Sequence, residues 1–430
     1  MEGEGRFSNP YLQAVLEDII KEEGFINPQV KIEVGSNKGD NYLGAIYRVQ
    51  VDGKRVKNEF NQDTLRIIFK CLPQSKARRE QMESSVYFKN EVNFYNRVLQ
   101  EFLSFQREKG INSEDGFSCT ARCYRALAEV NEMNVNDVEE VLVLEDLREK
   151  GYKMANRRVG LSVVHCQLVL EQLAKLHAFS FAMRDQRPEQ FNSLKKSVNE
   201  TLFTTAKREG FEENVKCHED KIEEALTTRI PGDNIYTTRM HEFLKNFYDN
   251  MLMCVDGAAA DPYAVICHGD CWTNNMLFKF SKNDSEPTDV AFLDFQLSRY
   301  ASPVLDIAYF IFCCTDQTLR SKHYRHLLTK YYDTLAHFIC QLGSDPQKLY
   351  PANVFKEHLL KYSKFGFGMA VLAVPLFTSE TDNIPDFDEI FKDGEKVTSS
   401  TVMNSVHKNN TLYQERMTDI TVNMVDFGYI

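Results

Sequence analysis

Two carboxylates and an amide stand at a spacing that can do chemistry. In "CHGDCWTNN" (Cys267–Asn275), Asp270 closes the triplet His268-Gly269-Asp270, and Asn275 follows after four further residues. Nineteen residues beyond Asn275, "FLDFQ" places Asp294 at the end of an apolar strand. Phosphoryl transfer needs an acceptor hydroxyl oriented and phosphate charge neutralised more than it needs covalent help. One carboxylate can face the hydroxyl while the amide and the second carboxylate share magnesium, which prefers oxygen ligands. Asp270 is therefore the candidate catalytic residue, and Asn275 and Asp294 are the candidate metal ligands. His268 reads as a brace of this loop rather than as an acid or base. The chain's only tryptophan, Trp272, sits in the same polar stretch. It either packs the loop against the rest of the fold or borders the acceptor.

The order Asp, Asn, then Asp before Phe is that of the protein-kinase catalytic loop and its downstream metal-binding residue. Two further parts of such a site stand upstream. Lys70 lies near the end of "LRIIFK", on a strand from which an amine can reach α- and β-phosphates, and Glu91 in the following helix can pair with it. Glu80, Glu83 and Glu101 are rival partners nearby. The stretch "VGSNKGDNYLGA" supplies Gly35, Gly39 and Gly44, with Asn41 among them, where bare backbone can approach phosphates closely. Gly35, Gly39 and Asn41 are the nucleotide contacts expected from it. The spacing is not G-x-G-x-x-G, and no G-x-x-x-x-G-K-[ST] occurs. The backbone from Glu145 to Leu147, in "LEDLREK", is expected to form an adenine hinge. His177, in "AKLHAFS", reads as a packed core histidine. The expected cofactors are ATP and Mg2+.

These residues must be held by elements of two kinds. "PYLQAVLEDIIKEEG" has apolar residues at helical spacing and a glycine stop. "QVKIEVGS" and "AIYRVQVDGK" flank a Gly/Asn turn as a β-hairpin, "DTLRIIFKCLP" is a third strand, and "EEVLVLEDL" is a buried one. "SSVYFKNEVNFYNRVLQEFL" and "LSVVHCQLVLEQLAKLHAFSFAMR" are long helices. "YAVICHGD" and "DVAFLDFQ" read as two short buried strands separated by a polar loop, and most of the remaining chain is helical. "KVTSSTVMNSVHKNN" is polar and is expected to be partly disordered. Strands early and helices late predict an α+β, two-lobed, protein-kinase-like fold. Residues 1–146 would form a small β-rich nucleotide-binding lobe, and residues 147–430 a larger, mainly helical lobe carrying the catalytic loop, the metal site and the acceptor-binding region.

The bulk properties narrow the partners. With 51 basic and 62 acidic residues the net charge is −11, and no basic stripe of a nucleic-acid binder appears. The longest apolar runs, such as "AVLAVPLF", are too short to span a bilayer, so no membrane partner is expected. The opening "MEGEGRFSNP" is acidic and polar, unlike a signal peptide, which points to the cytoplasm. The eleven cysteines contain no CxxC pair and are expected to be reduced.

Taken together, "GDNYLGAIYRV", "HGDCWTNNMLF", "FLDFQLSRYASPVLDIAYF" and the C-terminal "DFGYI" resemble the ecdysteroid-kinase-like family of insects. That family lies within the aminoglycoside phosphotransferase and choline kinase branch of the protein-kinase-like fold. The resemblance runs from about residue 10 to 430. It implies an ATP- and magnesium-dependent phosphotransferase acting on a small-molecule alcohol, with an ecdysteroid-type steroid the first acceptor. It also implies that Asp306, in "SPVLDIAYF", braces the catalytic loop. Gln296 stands where protein kinases have the glycine of DFG, and no APE motif comes after it, so a protein substrate is disfavoured. Two rival readings stand beside this one. The first is the same chemistry on a choline-like, aminoglycoside-like or dietary toxin alcohol; the second is a catalytically silent nucleotide- or steroid-binding pseudokinase.

Overall fold

The computed structural model describes residues 5–35, 44–56, 58–73, 75–130, 138–232, 234–281, 285–380, 382 and 411–430. The polar "KVTSSTVMNSVHKNN" stretch, Gly39 and Asn41 lie outside them. The chain opens with helix α1 (Pro10–Glu22), whose start is capped: the Asn9 side chain accepts from the Tyr11 and Leu12 amides, and Pro10 occupies the first turn. Leu12, Val15, Leu16 and Ile19, spaced by three and four, are its buried face.

Five antiparallel strands follow: β1 (Phe25–Val34), β2 (Ala45–Arg55), β3 (Asn58–Cys71), β4 (Cys123–Val130) and β5 (Val138–Glu145), in the order β1-β2-β3-β5-β4. Period-two alternation sorts their side chains. Val49, Val51, Leu65, Ile67, Phe69, Val141 and Val143 form one core with α1. Leu142 and Leu144 point the other way, into the larger core, which includes Phe88 and Val92 of helix α2 (Ser84–Asn93). The sheet is thus clad on both faces, which explains why "VLVL" reads as a continuous apolar run. Helix α2 continues through a π-helical turn (Phe94–Val98) to Glu108. Such single turns favour functional sites, and this one brings Phe94 and Tyr95 against Phe295.

The C-terminal lobe is helical around two small sheets. Its helices include α3 (Val163–Gln186), α4 (Val304–Cys314), α5 (Gln317–Gln341), α6 (Lys364–Thr378) and α7 (Thr411–Asp426), besides a 22-residue helix over Arg208–Arg229. The two short strands read from the sequence do not neighbour each other. β7 (Val265–Cys267) pairs with β10 (Arg299–Ala301), whereas β9 (Pro287–Phe292) pairs with β8 (Met276–Phe280), which itself pairs with β6 (Tyr152–Met154). What reads as one polar loop therefore contains a strand. All eleven cysteines are free thiols. Among the described residues, no single helix is long and apolar enough to cross a membrane.

One sheet residue is out of place electrostatically. Glu140 on β5 is buried and makes no ion pair among the described residues. Burial pushes it up to about 7, while Lys89, Ser85 and Arg79 pull the other way. A carboxyl raised above its unfolded value keeps its proton in the folded state, so stability falls as pH rises from the unfolded value through about 7. Glu140→Gln is expected to raise Tm at pH 8, on the order of 2 °C, and to leave it nearly unchanged at pH 5; thermal unfolding at the two pH values checks this.

Candidate active site

β3 and α2 meet at a buried ion pair. Lys70 Nζ lies 2.7 Å from Glu91 Oε2 and also 2.7 Å from Asp294 Oδ1. Lys70 and Glu91 are buried, and Asp294 is partly open. Burial alone would lower the amine, but the two carboxylates outweigh it and hold Lys70 charged, above its ordinary range. Burial drives Glu91 upward against the pull of Lys70. The rival glutamates are engaged elsewhere: Glu80 with Lys76, Glu83 with Lys207, and Glu101 with the Gln190 amide.

The catalytic-loop segment is built around Asp270, which is buried. Asn275 Nδ2 donates to the Asp270 carbonyl (3.1 Å) and to its Oδ2 (2.8 Å), and the Tyr309 hydroxyl donates to Oδ1 (3.2 Å). Burial and the neighbouring Asp294 charge push Asp270 up to about 7 against those two hydrogen bonds. Leu293 N donates to the Asn275 carbonyl at 2.9 Å, which ties the Asn275 and Asp294 segments together.

The loop is held from beneath by Asp306 at the start of α4. Its Oδ2 accepts from His268 N (2.7 Å) and its Oδ1 from Gly269 N (2.9 Å). His177 Nε2 approaches Oδ2 at 3.0 Å, and its Nδ1 meets the Tyr331 hydroxyl at 2.8 Å. Burial would raise Asp306, but His177, His268 and the loop amide keep it ionised below the usual carboxylate range. His177, Cys267 and Asp306 offer metal-ligating atoms within 4.8 Å. Yet the aspartate oxygens are already taken by amides and imidazole, and burial keeps the Cys267 thiol protonated. This cluster is a brace.

His268 belongs to the same scaffold. Its Nδ1 accepts from Asp270 N (3.2 Å), so its Nε2 donates to Leu293 O (3.0 Å). Burial holds the ring below its ordinary value and neutral, as a brace requires. Gly269 has φ +90°, and a Cβ there would sit 1.9 Å from Leu297 O, so no other residue fits. Asp294 itself has φ 64°, a conformation aspartate tolerates better than most residues.

Three side chains of the site, Asn90, Phe295 and Tyr309, are given no role by the sequence reading. Asn90, next to Glu91, donates to Gln296 O (3.0 Å) and Ser298 O (2.7 Å) and accepts from Asn199 N (3.0 Å). Phe295 stacks on Phe94 at 3.9 Å. Tyr309 lies one helical turn after Asp306, so the i,i+3 spacing on α4 was an available signal. Asn90 gave none beyond being a polar residue on a buried helix face. Trp272 stacks flat on Phe377 of α6 (4.2 Å, interplanar 5°), which ties the loop to the helical lobe.

The remaining candidates are placed less centrally. Gly35 N donates to Ile46 O at 2.7 Å, and a Cβ there would come within 2.6 Å of the Ile46 side chain. Its smallness thus serves the hairpin's own packing. Glu145 ends β5, where its amide donates to Arg122 O, and Leu147 is buried at the crossing into the second lobe.

The arrangement suits a divalent cation. Asp294 retains a carboxylate oxygen, and Asn275 its amide oxygen, with no hydrogen-bond donor among the described residues. These are hard oxygen donors of the kind magnesium takes.

A small antiparallel sheet with its lysine–glutamate pair, set on a helical lobe that carries an HGD loop and a DF segment, defines the kinase-like class. The sequence profile of the Ecdysteroid kinase-like family matches residues 38–344, and the chain belongs to that family. Membership supports a small-molecule phosphotransferase. No curated protein matches the chain. Solved structures similar to it include a Plasmodium vivax ethanolamine kinase (11% identity, 99% of this chain and 92% of that one, TM-score 0.40). The GDP complex of a mutant aminoglycoside 2'-phosphotransferase-IIIa is also similar (10% identity, 97% and 99%, TM-score 0.43).

Asp306→Ala removes the acceptor of two buried amides and of His177. It is expected to cost about 3 kcal/mol, read as a lowered urea midpoint.

Proposed function

We propose that the chain transfers a phosphoryl group from ATP, with magnesium, to a hydroxyl of a small molecule in the cytoplasm. An ecdysteroid-type steroid alcohol is the first acceptor, on the strength of family membership. The observation that carries this reading is the convergence of Lys70, Glu91 and Asp294 on one buried cluster beside the Asp270–Asn275 pair. In this reading residues 1–146 hold the nucleotide and residues 147–430 hold the acceptor.

Asp270 orients the acceptor hydroxyl and takes its proton. Tyr309 and Asn275 fix the carboxylate in one rotamer, and Asp306 fixes the loop beneath it. Glu91 keeps Lys70 extended along the sheet, so that the amine can turn from Asp294 to the α- and β-phosphates. Asn275 and Asp294 would hold magnesium, which when bound would supply neutralisation of the charge developing on the transferred phosphate. Gly35, Gly39 and Asn41 would cover the phosphates, and the backbone of Glu145 and Leu147 would receive adenine.

The test is ATP consumption by purified protein against ecdysteroids, choline, aminoglycosides and plant phenol glycosides, with product mass read for an added phosphate. Asp270→Asn is expected to lower turnover about 10²–10⁴-fold while nucleotide binding persists. Turnover on choline, an aminoglycoside or a glycoside alone would keep the chemistry and discard the steroid. Binding of magnesium–ATP without transfer to any acceptor would favour the silent reading.

A further inference from the structure

The helical lobe holds a cavity of about 790 Å³ between the first turns of α5 and the end of α7. That volume falls in the range of small-molecule sites. Arg320, Lys322 and Arg325 line it, and Asp426 is the one carboxylate among its lining side chains. The cavity is therefore net positive in a chain of net charge −11. Its aromatic wall is Tyr324 stacked on Phe427 (4.7 Å, interplanar 12°).

Arg320 is the unusual residue. It is 1% exposed, with Nε bonded to Asn423 Oδ1 and Nη1 to Thr315 O, both at 2.6 Å, while Nη2 has no hydrogen-bond partner. Arg416 of α7 donates to the same Thr315 carbonyl at 2.5 Å. Two buried guanidinium groups thus share one neutral oxygen. Asp316 and Asp419 are near enough to act on Arg320 through space. Neither makes an ion pair with it among the described residues. Burial, aided by Arg416, lowers Arg320 to about 10. Buried charge is ordinarily paired, and arginine clusters are the side chains that fit phosphate. Here the cations and the cavity are built, and among the described residues no carboxylate makes an ion pair with Arg320, Lys322 or Arg325.

We propose that this cavity binds a phosphate monoester carried on an apolar or aromatic body. Arg320, Lys322 and Arg325 take the phosphate, and the Tyr324–Phe427 wall takes the body. The dianion matches the net charge of the lining. Such an ester could be a phosphorylated small molecule of the kind this family makes or a nucleoside monophosphate; both share the chemistry.

The experiment is calorimetric titration of the full chain with phenyl phosphate, AMP and inorganic phosphate. The wild type is compared with Lys322→Ala/Arg325→Ala, both positions being exposed, with Arg320→Lys, and with Lys70→Met in the other cleft. The proposal expects phenyl phosphate to bind at one site that weakens at least tenfold in the double variant, weakens in Arg320→Lys, and is unchanged in Lys70→Met. Inorganic phosphate should bind more weakly for want of the wall, and the ratio of AMP to phenyl phosphate says which source the site prefers. Equal binding in the double variant, loss only in Lys70→Met, or no binding of phenyl phosphate at millimolar concentration would each overturn it. Because the readout is binding, failure of the phosphotransferase reading would leave this result intact.

Discussion

One buried carboxylate sets the geometry on which the rest depends. Asp306 cannot remain charged in the core without donors, and the donors it finds are the amides of His268 and Gly269. The bond pair converts a polar loop, which would otherwise be free to fray, into a rigid platform. His177 and Tyr331 complete the network from α3 and α5, so the loop is referenced to three helices at once. Asp270 then has one place to be. The left-handed turn at Gly269, pressed against Leu297 O, admits no alternative backbone.

The second constraint runs between the lobes. Lys70 and Glu91 come from the sheet and its helix, whereas Asp294 comes from the far side of the cleft. Holding three charges together, two of them buried, is tolerable only because Lys70 stands at hydrogen-bond distance from both carboxylates. Asn90 and the Phe94–Phe295 stack add neutral ties along the same seam. The helix bearing Glu91 is therefore docked on the DF segment by polar and apolar contacts together.

Much of this was legible in the sequence because the signals are local. The spacing from His268 to Asp294, the apolar run before Lys70 and the three-four periodicity of α1 and α3 each sit within a short window. The β1–β2 hairpin, β3 and β5 could be read the same way. What escaped is long-range. "CYRALAEV" gives little alternation because β4 is an edge strand with small residues, half-covered by its neighbours. The pairing of β7 with β10 rather than β9 is invisible, since alternation shows that a segment is a strand but not which strand it meets. Asn90 was hidden for the same reason: its partners lie about two hundred residues away. The role of Gly35 also reads differently in three dimensions. A glycine that suggested phosphate approach is required first by the hairpin's packing against Ile46.

The central claim is that these residues make a magnesium–nucleotide site poised for transfer. The most direct test is calorimetric titration of ATP into the wild type, into the wild type with EDTA, and into Lys70→Met and Asp294→Asn. The account predicts binding that needs magnesium and falls at least tenfold, about 1.4 kcal/mol, in each variant. Binding that is indifferent to magnesium and to both substitutions, or no binding of ATP at all, would contradict it.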